Sequence, residues 1–278
     1  MLEMTVNAIL TATPFAAEHG TGAELATFSH LWAGGYYEGD PLNPVATSGY
    51  GDLGYISVLH AAHLVCIRPF IKADTVALEI GPGRGTFTRS LLDAREIWCM
   101  DALDADHNGF WRHVGEAARS RIHYHRVEDF SCSVLPDAHF DFIFSFGVFC
   151  HITAEGQRAY YRNLFAKAKP GANAMIMFAD FDKYNRAMSQ IGRLRTLRFS
   201  LDGIKAALLF NARIIKAKLK GEGRLRDKQD GKLGPGKFHH MGIAETCDVL
   251  QSIGWEVVSP DIGINLRDPI VHFRKPLD

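Results

Sequence analysis

The chain has 278 residues, 47% of them apolar and 22% charged, and its 31 basic and 31 acidic side chains leave a formal net charge of zero. A chain of this length can bury the core of one large domain, or of one domain with an appended cap, and its charge balance excludes a uniformly basic nucleic-acid binder. The five cysteines, at 66, 99, 132, 150 and 247, are odd in number and never spaced C-x-x-C. That argues against a disulfide framework or a structural zinc site, so no metal is expected and a reducing, cytoplasmic setting is. Met1–Val6 carries no basic n-region of a secretory signal, and no apolar run approaches the roughly 18 residues of a membrane-spanning helix.

Residues 1–29 show no clear period, whereas residues 30–57 are dense in Gly, Tyr and Pro, including Tyr36, Tyr37, Pro41, Pro44 and Tyr55. So many aromatic residues predict an ordered lid over 1–70 more than a linker. A helix is expected over 56–67, with Pro69 just past its end. The first strand is expected at 75–80 and runs into Leu78-Glu79-Ile80-Gly81-Pro82-Gly83-Arg84-Gly85, with a helix over 86–92. Strand, glycine turn and helix is the local architecture of a nucleotide-type cofactor site. Glycine takes positive φ in a tight turn and lets a ligand approach the backbone, and the amides opening the next helix favour a polar or anionic group. The dinucleotide fingerprint would want Gly or Ala at 86, where this chain has Thr86.

Further elements follow in alternation: strands at 96–101, 121–127, 140–146 and 173–179, and helices at 105–118 and 154–168, the last ending at Lys169-Pro170-Gly171. Strands separated by helices predict a doubly wound α/β fold with a mostly parallel sheet. Residues 182–240 interrupt the pattern: 183–237 hold 15 Lys/Arg against four acids, so the insertion is strongly basic. A helix over 241–253 stopped by Gly254, then strands at 255–259 and 269–274, complete seven strands. The expected organisation is a lid at 1–70, a core of 71–181 with 241–278, and a basic helical cap at 182–240.

Glu-x-Gly-x-Gly-x-Gly over Glu79–Gly85 resembles the first motif of class I S-adenosylmethionine-dependent methyltransferases. Ile143–Ile152 and Lys169-Pro170-Gly171 resemble the fourth-strand motif and the turn before strand five in the same family, and the final antiparallel pair is its usual closing feature. The resemblance covers 75–180 well, 240–274 loosely and 1–70 hardly at all. It implies S-adenosylmethionine as cofactor, held by Glu79, Gly81, Pro82, Gly83 and Gly85. Asp101, 20 residues after Gly81, matches the acid that accepts from the ribose hydroxyls, with Asp104 as its competitor. Asp129 and Phe130 match the residues for the adenine amino group and ring, with Glu128 the alternative at a shifted register. Phe146 or Gly147 would lie under the methionine end.

Methyl transfer from a sulfonium is an in-line displacement that also requires a proton to leave an oxygen acceptor. His151 follows strand four, at the end of the sheet where ligands sit in such folds, and is the first candidate base. His240, with its neighbour His239, follows the insertion and is the second. His60 with His63, and His123 with His125, read as structural. After strand four the chain has Ser145-Phe146-Gly147-Val148, not the Asn/Asp-Pro-Pro-Tyr type motif of enzymes that methylate exocyclic amines of nucleic acids. The expected activity is O-methylation of a small molecule or glycan. The rivals are a non-catalytic S-adenosylmethionine-binding protein, an aminopropyltransferase and a nicotinamide-dependent reductase.

Within 186–220, apolar residues recur every three to four positions among Arg and Lys, the pattern of a basic amphipathic helix pair. Such a face caps the site, and its arginines suit an anionic or lipid-linked acceptor or a membrane surface. Charge reversal at Arg193, Arg195 and Arg198 is then expected to weaken acceptor binding and leave cofactor affinity intact. Turnover and cofactor titration measured on the same variant check this, and unchanged turnover excludes the role.

Overall fold

The structure, a computed structural model, describes residues 25, 40–44, 56–187 and 239–277. Tyr36, Tyr37 and Tyr55 of the expected lid, and the insertion beyond residue 187 with Arg193, Arg195 and Arg198, lie outside the described residues.

The described chain enters through α1 (Val58–Ala62), capped by the Ser57 hydroxyl, which accepts from the His60 amide at 3.1 Å. The helix widens to a π turn over His63–Ile67 and tightens to a 3₁₀ turn over Arg68–Phe70. Pro69 therefore sits in the first turn of a helical segment, not beyond one, at a place where its missing amide has no partner to lose. Seven strands follow: β1 (Val76–Ile80), β2 (Glu96–Asp101), β3 (Ile122–Arg126), β4 (Phe140–Ser145), β5 (Ala168–Met177), β6 (Glu256–Ser259) and β7 (Ile270–Arg274). They form one sheet in the order β3-β2-β1-β4-β5-β7-β6. The first five are parallel, and β7 runs antiparallel to both β5 and β6.

Alternate residues of β1 sort to opposite faces, as the two-residue period of a strand requires. Val76, Leu78 and Ile80 pack with Tyr161, Leu164, Leu250, Trp255 and Phe273, on the side of α3 (Ala154–Lys167) and of the helix Ile243–Ile253. Ala77 packs on the other side with Leu59, Phe87, Leu91, Phe110, Phe142 and Phe144. Every β1 residue is buried, which fits a central parallel strand covered on both faces.

Three expected elements differ from the observed ones, each for a local reason. The helix expected over 86–92 is a 3₁₀ turn, Thr88–Leu91, closed by Ser90 N–H to Phe87 O at 2.8 Å. The helix expected over 105–118 is cut to α2 (Phe110–Val114), because Gly109 and Gly115 carry φ of +60° and +101° at its two ends. Lys169-Pro170-Gly171 lies within β5, where pairing jumps from Phe140–Ala168 to Phe142–Asn173.

Asp180, just after β5 and 4% exposed, joins the sheet to two helical starts. One carboxylate oxygen accepts from the Lys183 amide at 2.8 Å and the other from the Ile243 amide at 3.2 Å, the latter at the first residue of α4 (Ile243–Ile253). Asp180→Ala leaves both part-buried donors without this partner and is expected to cost about 1–2 kcal/mol of unfolding free energy. Asp180→Asn, which keeps one acceptor, should cost less, as urea denaturation of the two variants would read.

Candidate active site

Strand order reverses between β1 and β4, and a cavity opens there at the carboxyl ends of the strands, where ligands bind in open α/β sheets. The glycine loop forms one wall. Gly81 N–H donates to Met100 O at 2.7 Å, tying the loop to the end of β2. Gly81 has φ +69°, and a Cβ built there would lie 2.2 Å from Val148 Cγ2. At Gly85, with φ +90°, a Cβ would lie 2.2 Å from Val114 Cγ2. Two of the three glycines are thus required by side chains packed against the loop as well as by backbone conformation.

Asp101 ends β2 on the cavity wall. Its carboxylate accepts from the Gly83 amide at 3.0 Å and the Leu103 amide at 2.9 Å, so it fixes the loop from across the strand pair. Burial lifts its carboxyl above the ordinary range, against the lowering effect of those amides. Glu79, 3% exposed, also lines the cavity. It shares a sheet face with Ala77 and pairs in register with Cys99 of β2 and Phe144 of β4. The Thr88 hydroxyl donates to its Oε2 at 2.5 Å. Burial, with a smaller push from Asp101, raises the Glu79 carboxyl to about 8 against the lowering Thr88 bond.

Phe146, Gly147 and His151 come to the same cavity from the end of β4, Gly147 with φ +77° and His151 on a 3₁₀ turn (Phe149–His151) and 5% exposed. Pro82 and Gly83 complete the loop wall. Gly85, Asp129, Phe130 and His240 do not line it. Asp129 is exposed and accepts from the Ser131 amide at 2.8 Å. Phe130 is buried against Tyr160, with ring centroids 4.9 Å apart, and it is Tyr160 that reaches the cavity. His240 accepts the Phe181 amide on Nδ1 at 3.1 Å, which turns its ring to the end of β5.

His239, its neighbour, is held by its backbone N–H to Cys150 O at 2.7 Å, beside the His151 turn. Burial, and then the charge of His151, push the His239 imidazole down to about 4. Adjacent residues in extended chain point opposite ways, so sequence could not choose between the two histidines. Other contributors also went unread. Asp40 reaches Arg89 at 2.8 Å across the cavity wall, and Pro41 O meets His60 Nδ1 at 2.8 Å, which ties the described piece of the N-terminal segment to α1. Leu25, Phe87, His113 and Val148 also line the cavity. These contacts join residues far apart in sequence, and there was a local signal only for Phe87, beside the glycine motif, and Val148, within the Ile143–Ile152 motif.

Residues 60–216, more than half the chain, match the methyltransferase domain family. The chain belongs to that family. Among solved structures, the DhpI–SAH complex is similar with a TM-score of 0.54 and 16% identity, covering 94% of this chain and 100% of that one. A possible exported protein from Bordetella parapertussis matches with a TM-score of 0.50 and 15% identity, over 78% of this chain and 67% of its own. A SAM-dependent methyltransferase from Methanosarcina mazei matches at 0.49 and 16%, over 77% and 98% respectively. At 16% identity the likeness to the DhpI–SAH complex establishes the fold alone. No curated protein matches the sequence.

Two outcomes test the wall of this methyltransferase's cavity. Gly81→Ala is expected to lose about 1–3 kcal/mol of stability through strain and overpacking, partly restored by adding Val148→Ala, as thermal denaturation would show. Because the Glu79 carboxyl is raised from 4.5 to about 8, the folded protein holds a proton that the unfolded chain releases in between. Its contribution is fully present below the ordinary Glu value and is lost as pH rises toward 8. Glu79→Gln should remove that slope from urea midpoints measured against pH.

Proposed function

We propose that this methyltransferase takes S-adenosylmethionine as donor and methylates a hydroxyl oxygen of a small molecule or glycan. The observation that carries the reading is the convergence of the glycine loop, Asp101 and buried His151 on one cavity. The fit to the donor rests on the loop backbone, bare of side chains at Gly81 and Gly83, and on a carboxylate at the strand end. When bound, S-adenosylmethionine supplies an electrophilic methyl group on a sulfonium.

The residues then divide the work. Asp101 accepts from the ribose hydroxyls, since each carboxylate oxygen already holding one amide keeps a second acceptor site. The loop from Gly81 to Gly85 faces the amino-acid portion, with Phe146 and Gly147 opposite. Met100, Ala102 and Leu103 offer the apolar surface next to Asp101 for the base. His151 takes the acceptor's proton, and the low proton affinity of His239 keeps a second, neutral imidazole beside it. His240 is a positioning residue that fixes the strand end. The lid over 1–70 and the cap over 182–240 enclose the acceptor, and the basic character of the cap fits an anionic or lipid-linked molecule and contact with a membrane surface. A cytoplasmic setting follows from the cysteine usage and belongs to the same proposal.

Calorimetric titration with S-adenosylmethionine and S-adenosylhomocysteine, with NADH as control, tests the donor. Micromolar binding lost on Asp101→Ala is expected, and preference for NADH would overturn it. Screening phenols, hydroxy acids and sugars for methyl transfer tests the acceptor. On any acceptor found, His151→Ala is expected to lower kcat about a hundred-fold or more with donor affinity unchanged.

A further inference from the structure

The turn that carries His151 is short and weakly closed from within. His151 N–H donates to Val148 O at 2.8 Å and Ile152 N–H to Phe149 O at 3.1 Å. A single 3₁₀ turn has poor hydrogen-bond geometry and little means of its own to fix a side chain. It is held from three directions instead. Val148 lies against Gly81 of the glycine loop. The His239 amide, at the end of the insertion, donates to Cys150 O at 2.7 Å. From α3, Gln157 reaches back five residues and donates its Nε2 to Ile152 O at 2.8 Å.

Gln157 is wholly buried and does not line the cavity, whereas Ile152, whose carbonyl it holds, does. The start of α3 is firmly placed. The Thr153 hydroxyl accepts from the Gly156 amide at 3.2 Å, and the Gln157 amide donates to Thr153 O at 2.9 Å. A Cβ at Gly156 would lie 2.6 Å from both Ile152 Cγ2 and Phe130 Cε2, so helix and turn are pressed together there. Packing alone does not call for an amide at 157. Tyr160, Tyr161 and Leu164, on the same face of α3, are buried with it, and a methionine would fill a similar volume. Gln157 Oε1 has no hydrogen-bond partner among the described residues, and a buried, half-paired amide is a cost to the fold. What the amide supplies in return is the bond to Ile152 O. We propose, resting on the reading that His151 takes the acceptor's proton, that Gln157 is a positioning residue for that step: its bond to Ile152 O fixes the chain one residue past His151, and so the direction in which the imidazole enters the cavity. A base must lie within hydrogen-bond reach of the proton it takes, and a misplacement of about 1 Å can cost about a hundred-fold in rate. The effect belongs to rate and not to donor binding, because Asp101 and the glycine loop are tied to each other and to β2 by their own bonds.

The test uses the full-length protein and Gln157→Met, which keeps the length of the side chain and removes the donor. The expected result is a urea midpoint little changed, an unchanged calorimetric affinity for S-adenosylmethionine, and a shift or doubling of the His151 imidazole nitrogen signals in the NMR spectrum, assigned by their loss in His151→Ala. On any acceptor found, kcat should fall about ten- to a hundred-fold with KM little changed. A folded Gln157→Met with His151 signals and kcat both unchanged overturns the proposal. So does a lowered urea midpoint with unmoved His151 signals, which makes Gln157 a part of the fold only. Should the variant fail to fold, the natural chain decides: the Gln157 Nε2 protons should exchange with solvent at least about a hundred-fold more slowly than those of a free amide, and unprotected protons overturn the proposal. If His151→Ala keeps its turnover, the reading of His151 as the base fails, and this inference with it. If His151→Ala loses turnover and Gln157→Met does not, this inference alone fails.

Discussion

The reversal of strand order between β1 and β4 is the constraint on which the rest of the molecule depends. Strands added to one side of β1 carry their connections over one face of the sheet, and those added beyond β4 carry theirs differently, so no connection covers the point between them. That gap is held open at a fixed width. The Ser145 hydroxyl at the end of β4 donates to Ile80 O at the end of β1 at 2.9 Å, and Gly81 N–H reaches back to Met100 O on β2 at 2.7 Å. Three strand ends are thereby locked together, and the loops that leave them must diverge around the cavity. Val148 fills the space a side chain at position 81 would need, so the loop after β1 and the loop after β4 shape each other.

Two acids placed one strand apart then acquire different characters from their surroundings. Asp101 meets two backbone amides at the outer end of β2, and Glu79 meets one hydroxyl inside an apolar layer. Both are raised by burial, and Glu79 is carried up to about 8. Pairs of like groups driven apart by environment are a recurring way of assigning separate roles within one site. Here the division is between an acid held by two backbone amides at a strand end and one that meets a single hydroxyl in an apolar layer.

The sequence exposed what is periodic or local. Strands such as 140–146 and 173–179 stood out as apolar runs, and Glu79, Gly81 and Gly85 lay in one contiguous motif, because a strand–turn–helix site is built from neighbours in the chain. The seven strands followed from the same alternation, and the antiparallel close from the family resemblance. Short helices were harder to see. Gly109 and Gly115 break what reads as one helix, and their effect depends on positive φ values that the sequence permits without requiring. Positions set by long-range packing were not legible at all: Asp129 turns to its own loop while Leu103 and Tyr160 line the cavity, and the contact of His239 with Cys150 spans most of the insertion.

The insertion leaves and rejoins the sheet at almost one point. Its first residues, helical over 181–187, start from Asp180, and its last, His239 to Gly242, bind Cys150 O and Ala179 O by backbone amides at 2.7 and 3.3 Å. Asp180 serves both ends, capping one helical start through Lys183 and the other through Ile243. A segment closed on itself in this way can vary in length and composition with little cost to the sheet, because loop-closure entropy grows only slowly with length. Its closing residues nevertheless lie beside His151. The β1–β2 side of the crevice is therefore constrained by strand register and the glycine loop, and the β4–β5 side is open to change through the insertion. On the function proposed above, donor recognition belongs to the first side and acceptor choice to the second, which is why the cofactor motif can be read from a contiguous stretch of sequence and the acceptor cannot.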